Sequence, residues 1–125
     1  SFGIVEKNKI RYTDYTRTVI EMIRDFDKYM ELEEFLTFLK SANTLNSEEV
    51  KKALEALDSN VLFQKTGWLI DVGILDVDKL DYLIEFCVKN IGRSRRLFCK
   101  EAKVEGKYNS KWQLILPKEL IEPRN

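Results

Sequence analysis

The sequence has no histidine, two cysteines, two prolines and five glycines in 125 residues. Without histidine, it lacks the commonest general base and the commonest zinc ligand, and no Cys–His nucleophile pair can form within it. Cys87 and Cys99 lie in separate segments without C-x-x-C spacing, and both have apolar neighbours. They read as buried free thiols of a reducing cytosol. No apolar run is long enough to span a bilayer, and no basic segment followed by an apolar one opens the chain as a signal peptide would. The reading is therefore of a soluble cytoplasmic protein with no membrane contact. Ser1-Phe2-Gly3-Ile4 is apolar and lacks an initiator Met, so the sequence reads as a piece with residues missing upstream.

Hydrophobic residues make up 44% of the chain and charged residues 34%, the balance of a globular domain, and the length fits one domain with a real core. Net charge is zero, but it is unevenly spread. Residues 1–88 carry 11 Lys/Arg against 17 Asp/Glu, a balance of −6, whereas residues 89–111 carry 8 against 2, a balance of +6. Residues 112–125 carry 2 of each. An acidic body with a compact basic segment points to an anionic partner or to self-complementary contacts.

Periodicity divides the chain into a helical middle and strand-like ends. Residues 3–13 alternate loosely and suggest a hairpin turning near Lys7-Asn8. Val19, Ile20, Ile23, Phe26 and Met30 predict a helix from about Thr16, capped by Asp14 or Thr16. Leu32, Phe35, Leu36, Leu39 and Ala42 predict a second helix. Asn46 or Ser47 caps a third with Glu48 and Glu49 in its first turn, where the helix dipole favours acids. Val61 to Val72 reads as a fourth, apolar helix closed by Gly73, with Gly67 kept inside it to give room to the adjacent Trp68. Asp76 or Asp78 caps a fifth, on which Leu80, Leu83, Ile84, Cys87, Val88 and Ile91 follow one helical face until Gly92. Leu97-Phe98-Cys99 and Trp112 to Leu116 then read as strands, with turns at Glu105-Gly106 and Tyr108-Asn109. Pro117 and Pro123 stop regular structure. The predicted class is α+β: a central helical bundle flanked by short N- and C-terminal strands that share one small sheet.

Three segments occur in an order that resembles a known domain. These are Ile10-Arg11 followed by Thr16-Arg17-Thr18-Val19-Ile20, then Gly67-Trp68-Leu69-Ile70-Asp71-Val72-Gly73, then Gly106-Lys107-Tyr108-Asn109-Ser110-Lys111-Trp112. From about Gly3 to Pro117 the chain resembles the C-terminal domain of AbiEi-type antitoxins, predicted transcriptional regulators of type IV toxin–antitoxin systems in abortive infection and phage defence. The resemblance implies a non-enzymatic antitoxin domain over residues 1–125 that counteracts a nucleotidyltransferase toxin, with direct contact between the two left open. The family's N-terminal winged helix-turn-helix is not in this sequence.

The candidate site lies in the basic segment. Arg93, Arg95, Arg96, Lys100, Lys107 and Lys111, together with Lys89 and Lys103, would bind RNA or DNA phosphates. Alternation puts Arg93 and Arg95 on one side of a strand and Arg96 on the other. Tyr108 and Trp112 would stack nucleobases, or else pin the last strand to the helices. Asn109 shapes the turn. Phe38 and Tyr82 fall beside the main apolar stripes and are left for a partner or a homodimer. No cofactor and no metal is implied. Two alternatives remain open. One is a nucleic-acid-binding module without antitoxin activity. The other is a metal-dependent nuclease built on Glu101-x-Lys103 or Glu105-x-Lys107, with Asp71, Asp78 or Asp81 as a further carboxylate. Asp25-x-Asp27 matches half of a nucleotidyltransferase motif without its Gly-Ser element.

Overall fold

The computed structural model describes residues 5–6, 9–10 and 12–121, with side chains from residue 14 onward. Strands β1 (Val5–Glu6) and β2 (Lys9–Ile10) form the expected hairpin, antiparallel with Val5 opposite Ile10. Its turn at Lys7-Asn8 lies outside the described residues. Helix α1 (Tyr12–Asp25) starts four residues earlier than Thr16, so neither predicted cap acts as one. Thr16 is buried inside the helix and its hydroxyl donates to Glu49 at 3.1 Å. Asp14 lends its backbone carbonyl to the Thr18 hydroxyl. A 3-10 turn (Phe26–Lys28) ends the helix, and α2 (Leu32–Lys40) follows.

Helix α3 (Ser47–Leu57) is capped by Asn46, whose side chain accepts from the Glu49 N–H at 3.0 Å. Ser59 caps α4 (Asn60–Asp71), and the chain leaves that helix at Gly73 with φ +82°. Helix α5 (Leu80–Asn90) carries Lys79 at its N-cap, not an aspartate. Asp78 instead accepts from the Ser47 N–H at 2.9 Å, and Asp76 accepts the Thr44 hydroxyl. Both aspartates therefore tie the α4–α5 connection to the loop before α3, alongside a parallel bridge between Leu45 and Val77.

The C-terminal part holds β3 (Arg96–Leu97), a 3-10 turn (Lys100–Lys103), β4 (Lys107–Asn109), β5 (Leu114–Leu116) and the short α6 (Lys118–Ile121). Strand β5 is central, parallel to β3 and antiparallel to β4. The class is α+β, as the periodicity indicates, but β1 and β2 pair only with each other. Tyr108-Asn109 is strand rather than turn. The reversal comes one residue later, where the Asn109 side chain accepts from the Trp112 N–H at 3.0 Å. Asn109 shapes the turn as expected, from the end of the strand.

Helix α4 is the centre of the fold. Residues 62 to 70 are all buried, so its apolar surface runs all round, which explains its weak helical period. Phe26, Phe35, Trp68 and Phe98 meet beside it. Phe26 and Phe35 stack with centroids 3.9 Å apart, and Phe98 lies 5.5 Å from Trp68 and 5.8 Å from Phe26. This cluster joins the 3-10 turn after α1, α2, α4 and the C-terminal segment. On α5 only Leu83 and Cys87 are buried, while Leu80 and Val88 are exposed. The six-residue stripe is thus wider than the face that α3 and α4 cover.

Candidate functional site

Strand register sorts the basic segment. Arg96 and Asn109 flank Leu114, and Leu97 and Tyr108 flank Ile115. Leu114 and Leu116 are buried, as is Phe98, so this phase of the pleat faces the helices. The opposite phase places Leu97, Ile115 and Tyr108 in one transverse row on the outer face. The Arg95 guanidinium lies over that row, its central carbon 4.2 Å from the Tyr108 ring centroid. Arg93 sits in a bend before the strand begins, so the alternation argument does not reach it.

The cations do not act alike. Lys111 pairs with Asp71 at 2.8 Å, Lys100 with Glu31 at 3.6 Å and Lys89 with Glu85 at 3.1 Å. Lys100 also gives its backbone N–H to Asp27 at 2.8 Å, fixing it to the body of the protein. Among the described residues, Arg93, Arg95, Arg96, Lys103 and Lys107 are exposed and have no carboxylate within ion-pair distance. The predicted eight-residue cluster therefore reduces to five cations without counter-charge, spread over the approach to β3, β3 itself, the 3-10 turn and β4. Lys100 and Lys111 are corrected to ion-paired supports.

Trp112 is also corrected. It is fully buried and cannot offer its face to a base. Its ring lies on Gly67, where an added Cβ would stand 2.2 Å from Cζ3 and 2.4 Å from Cη2. Gly67 thus makes room for Trp112, 45 residues away, and not for its neighbour Trp68. The indole N–H donates to Asp71 at 2.9 Å. Burial pushes the Asp71 carboxyl up, but hydrogen bonds from Lys111 and Trp112 outweigh this and hold it below the ordinary value. Two of the three motif segments are consequently one packing unit.

Gln64 and Lys65 escaped the sequence reading. Gln64 is buried in α4 and its amide N–H groups reach the carbonyls of Ser94, Trp112 and Gln113 at 3.1–3.2 Å. It clips the sheet to the central helix. Lys65 is 7% exposed, with its ammonium 5.6 Å from the Phe26 centroid and 5.8 Å from that of Phe98. Burial lowers its pKa, against the pull of Asp27, Cys99 and Asp25. The only sequence signal was a polar pair in the middle of an apolar helix.

Three of the five carboxylates suggested for a nuclease are engaged elsewhere. Asp71 holds Trp112 and Lys111, Asp78 holds Ser47, and Glu105 pairs with Lys118 at 2.8 Å. No group of three or more Cys, Asp or Glu side chains among the described residues is arranged to hold a metal ion. Cys87 and Cys99 are both free and buried. Burial pushes each thiol up to about 12, with Glu101 adding to the shift at Cys99. Both thiols are protonated at neutral pH and so are poor nucleophiles. Phe38 is half-buried. Tyr82 is exposed, with the Lys51 ammonium 5.7 Å from its ring centroid. Among the described residues no helix is long and apolar enough to cross a membrane. Comparison of the chain with known protein families, curated proteins and solved structures finds no match.

Proposed function

We propose that this chain is a non-enzymatic regulatory module of the antitoxin kind, and that it works by presenting the cationic edge of its C-terminal sheet to a nucleic acid. The observation that carries this is the segregation of charge. Arg93, Arg95, Arg96, Lys103 and Lys107 are exposed and without ion pairs on one short segment, while the helical body carries the acids. Cations kept unpaired beside an acidic body raise the local concentration of a polyanion and release its counterions on binding. The AbiEi resemblance supplies the biological setting: a phage-defence toxin–antitoxin pair whose toxin is a nucleotidyltransferase.

The test is rescue of growth in cells expressing a nucleotidyltransferase toxin encoded next to this gene. The wild-type chain is expected to rescue. An Arg93→Ala/Arg96→Ala/Lys107→Ala variant, folded by circular dichroism, is expected to rescue far less. Equal rescue by both would remove the cationic edge from the mechanism. Salt-dependent nucleic-acid binding without rescue would favour a binding module that is not an antitoxin.

A further inference from the structure

We infer that the outer face of the C-terminal sheet binds an unpaired nucleic-acid strand, one base of which stacks on Tyr108 in the place now taken by the Arg95 guanidinium. This rests on the reading of the cationic edge as a nucleic-acid surface and specifies which form of nucleic acid it takes.

The argument starts from the pleat. Leu97, Ile115 and Tyr108 form one row across three strands on the side away from the helices. Tyr108 is 43% exposed, and Leu97 and Ile115 are only half-buried. The row ends in an exposed aromatic ring, and that ring fits the face of a base. In a duplex both faces of every base are covered by neighbours, so such a row gains nothing from it. An unpaired strand can turn a base face out onto the ring. The ring already holds a flat cation: Arg95 lies 4.2 Å from its centroid, a stacking distance, with no carboxylate partner among the described residues. A planar base fits the same position.

The surrounding charge suits a strand rather than a single anion. Arg96 on one edge strand and Lys107 on the other pair with Leu114 and Leu116, so they leave the sheet in the helix-facing phase and reach solvent at its two edges, flanking the outer row rather than lying on it. Lys103 precedes β4 and Arg93 precedes β3, so cations occur on both sides of the row. A backbone running across the sheet meets phosphate-binding groups before and after the stacked base. Arg95, displaced from the ring, is then free to bind a phosphate itself. Tyr108 reads the base face and Arg95 changes partner when the base arrives.

The experiment is fluorescence anisotropy of the full chain with a short labelled oligouridylate and with its duplex of equal length, across a salt series. The strand is expected to bind more tightly than the duplex. Tyr108→Ala should lower strand affinity by about 5- to 100-fold and leave the weaker duplex binding unchanged. Tyr108→Phe, which keeps the ring, should restore it, and Tyr108→Leu, which keeps apolar packing without a π-face, should not. Arg95→Ala should reduce the salt slope by about 0.7, the value for one single-strand phosphate contact. Equal binding of strand and duplex, or full affinity in both Tyr108→Ala and Tyr108→Leu, overturns the stacking inference. In that case the cationic edge still stands if Arg96→Ala/Lys107→Ala loses binding. Failure of both probes to bind wild type at low salt overturns both.

Discussion

Gly67→Ala is the most informative single substitution in this protein, because two effects of opposite sign meet there. Gly67 lies inside helix α4, where alanine is worth about 1 kcal/mol over glycine by helix propensity. A helix considered alone would be stabilised by the change. Against this, the new Cβ would stand 2.2, 2.4 and 2.9 Å from three carbons of the Trp112 ring. The ring cannot easily yield. It is fully buried, and its indole N–H is held by Asp71 at 2.9 Å. Overpacking a core costs about 1–3 kcal/mol and occasionally more, and with three contacts this short the upper part of that range applies. The net expectation is destabilisation by about 1–2 kcal/mol. For a chain of this length that lowers the thermal midpoint by about 4 °C per kcal/mol. Urea denaturation of wild type, Gly67→Ala, Trp112→Phe and the double variant closes a mutant cycle. Trp112→Phe alone is destabilising, because a smaller ring leaves a void. In the double variant the methyl group fills part of that void, so the two changes should cost less together than in sum, by about 1 kcal/mol or more. A Gly67→Ala protein as stable as wild type or more so would show that propensity wins and that Trp112 does not need the space.

Three further outcomes follow from the same region. Gln64→Leu should destabilise by about 2–3 kcal/mol, since it strands the carbonyls of Ser94 and Trp112 and takes one of two donors from that of Gln113, which keeps the Arg96 N–H; urea unfolding measures it. Asp71 has its carboxyl held below the ordinary value in the fold, so its contribution is present above the unfolded pKa of about 3.9 and is lost as pH falls through the folded value. Asp71→Asn keeps an acceptor for Trp112 but removes that acid-dependent part, about 1 kcal/mol for a pair this open, so the stability gap to wild type should close below about pH 4 in pH-resolved thermal melts. Lys65 is lowered by burial, which makes its charge a penalty at neutral pH that is relieved as pH rises to the ordinary lysine value near ~10.4. Lys65→Met should therefore show its most favourable stability difference from wild type at neutral pH and lose it toward pH ~10.4; a difference flat in pH would mean that the ammonium pays no burial penalty.

The parts legible in the sequence were those set by local chemistry. Helix α2 was marked by its apolar spacing, α3 by a cap at Asn46 or Ser47, of which Asn46 serves, and α4 by its apolar run before Gly73. Asn109 as a turn-shaping side chain was legible for the same reason. Most of the misreadings concern partners distant in sequence. Thr16 looks like a cap because a threonine before an apolar period often is one, yet it bonds Glu49 across the bundle. Asp76 and Asp78 precede a helix and look like its caps, but they serve the loop before α3. Gly67 reads as a spacer for its neighbour Trp68, yet the ring it makes room for is Trp112, brought in from across the fold.

The amino-acid order alone settled the α+β class, the caps made between near neighbours, and the placing of eight cations within residues 89–111. Those properties depend on residues a few positions apart, and the period and charge of a segment express them directly. Which of the cations remain without counter-charge, which aromatic ring is sealed inside and which is offered outside, and which glycine makes room for which indole were decided only when β5 settled between β3 and β4 against helix α4. Tyr108 and Trp112 are four residues apart and chemically alike. One faces solvent and the other the core because strand pairing and the turn at Asn109 turn them to opposite sides, a choice that depends on pairing across the fold and not on either residue's own character.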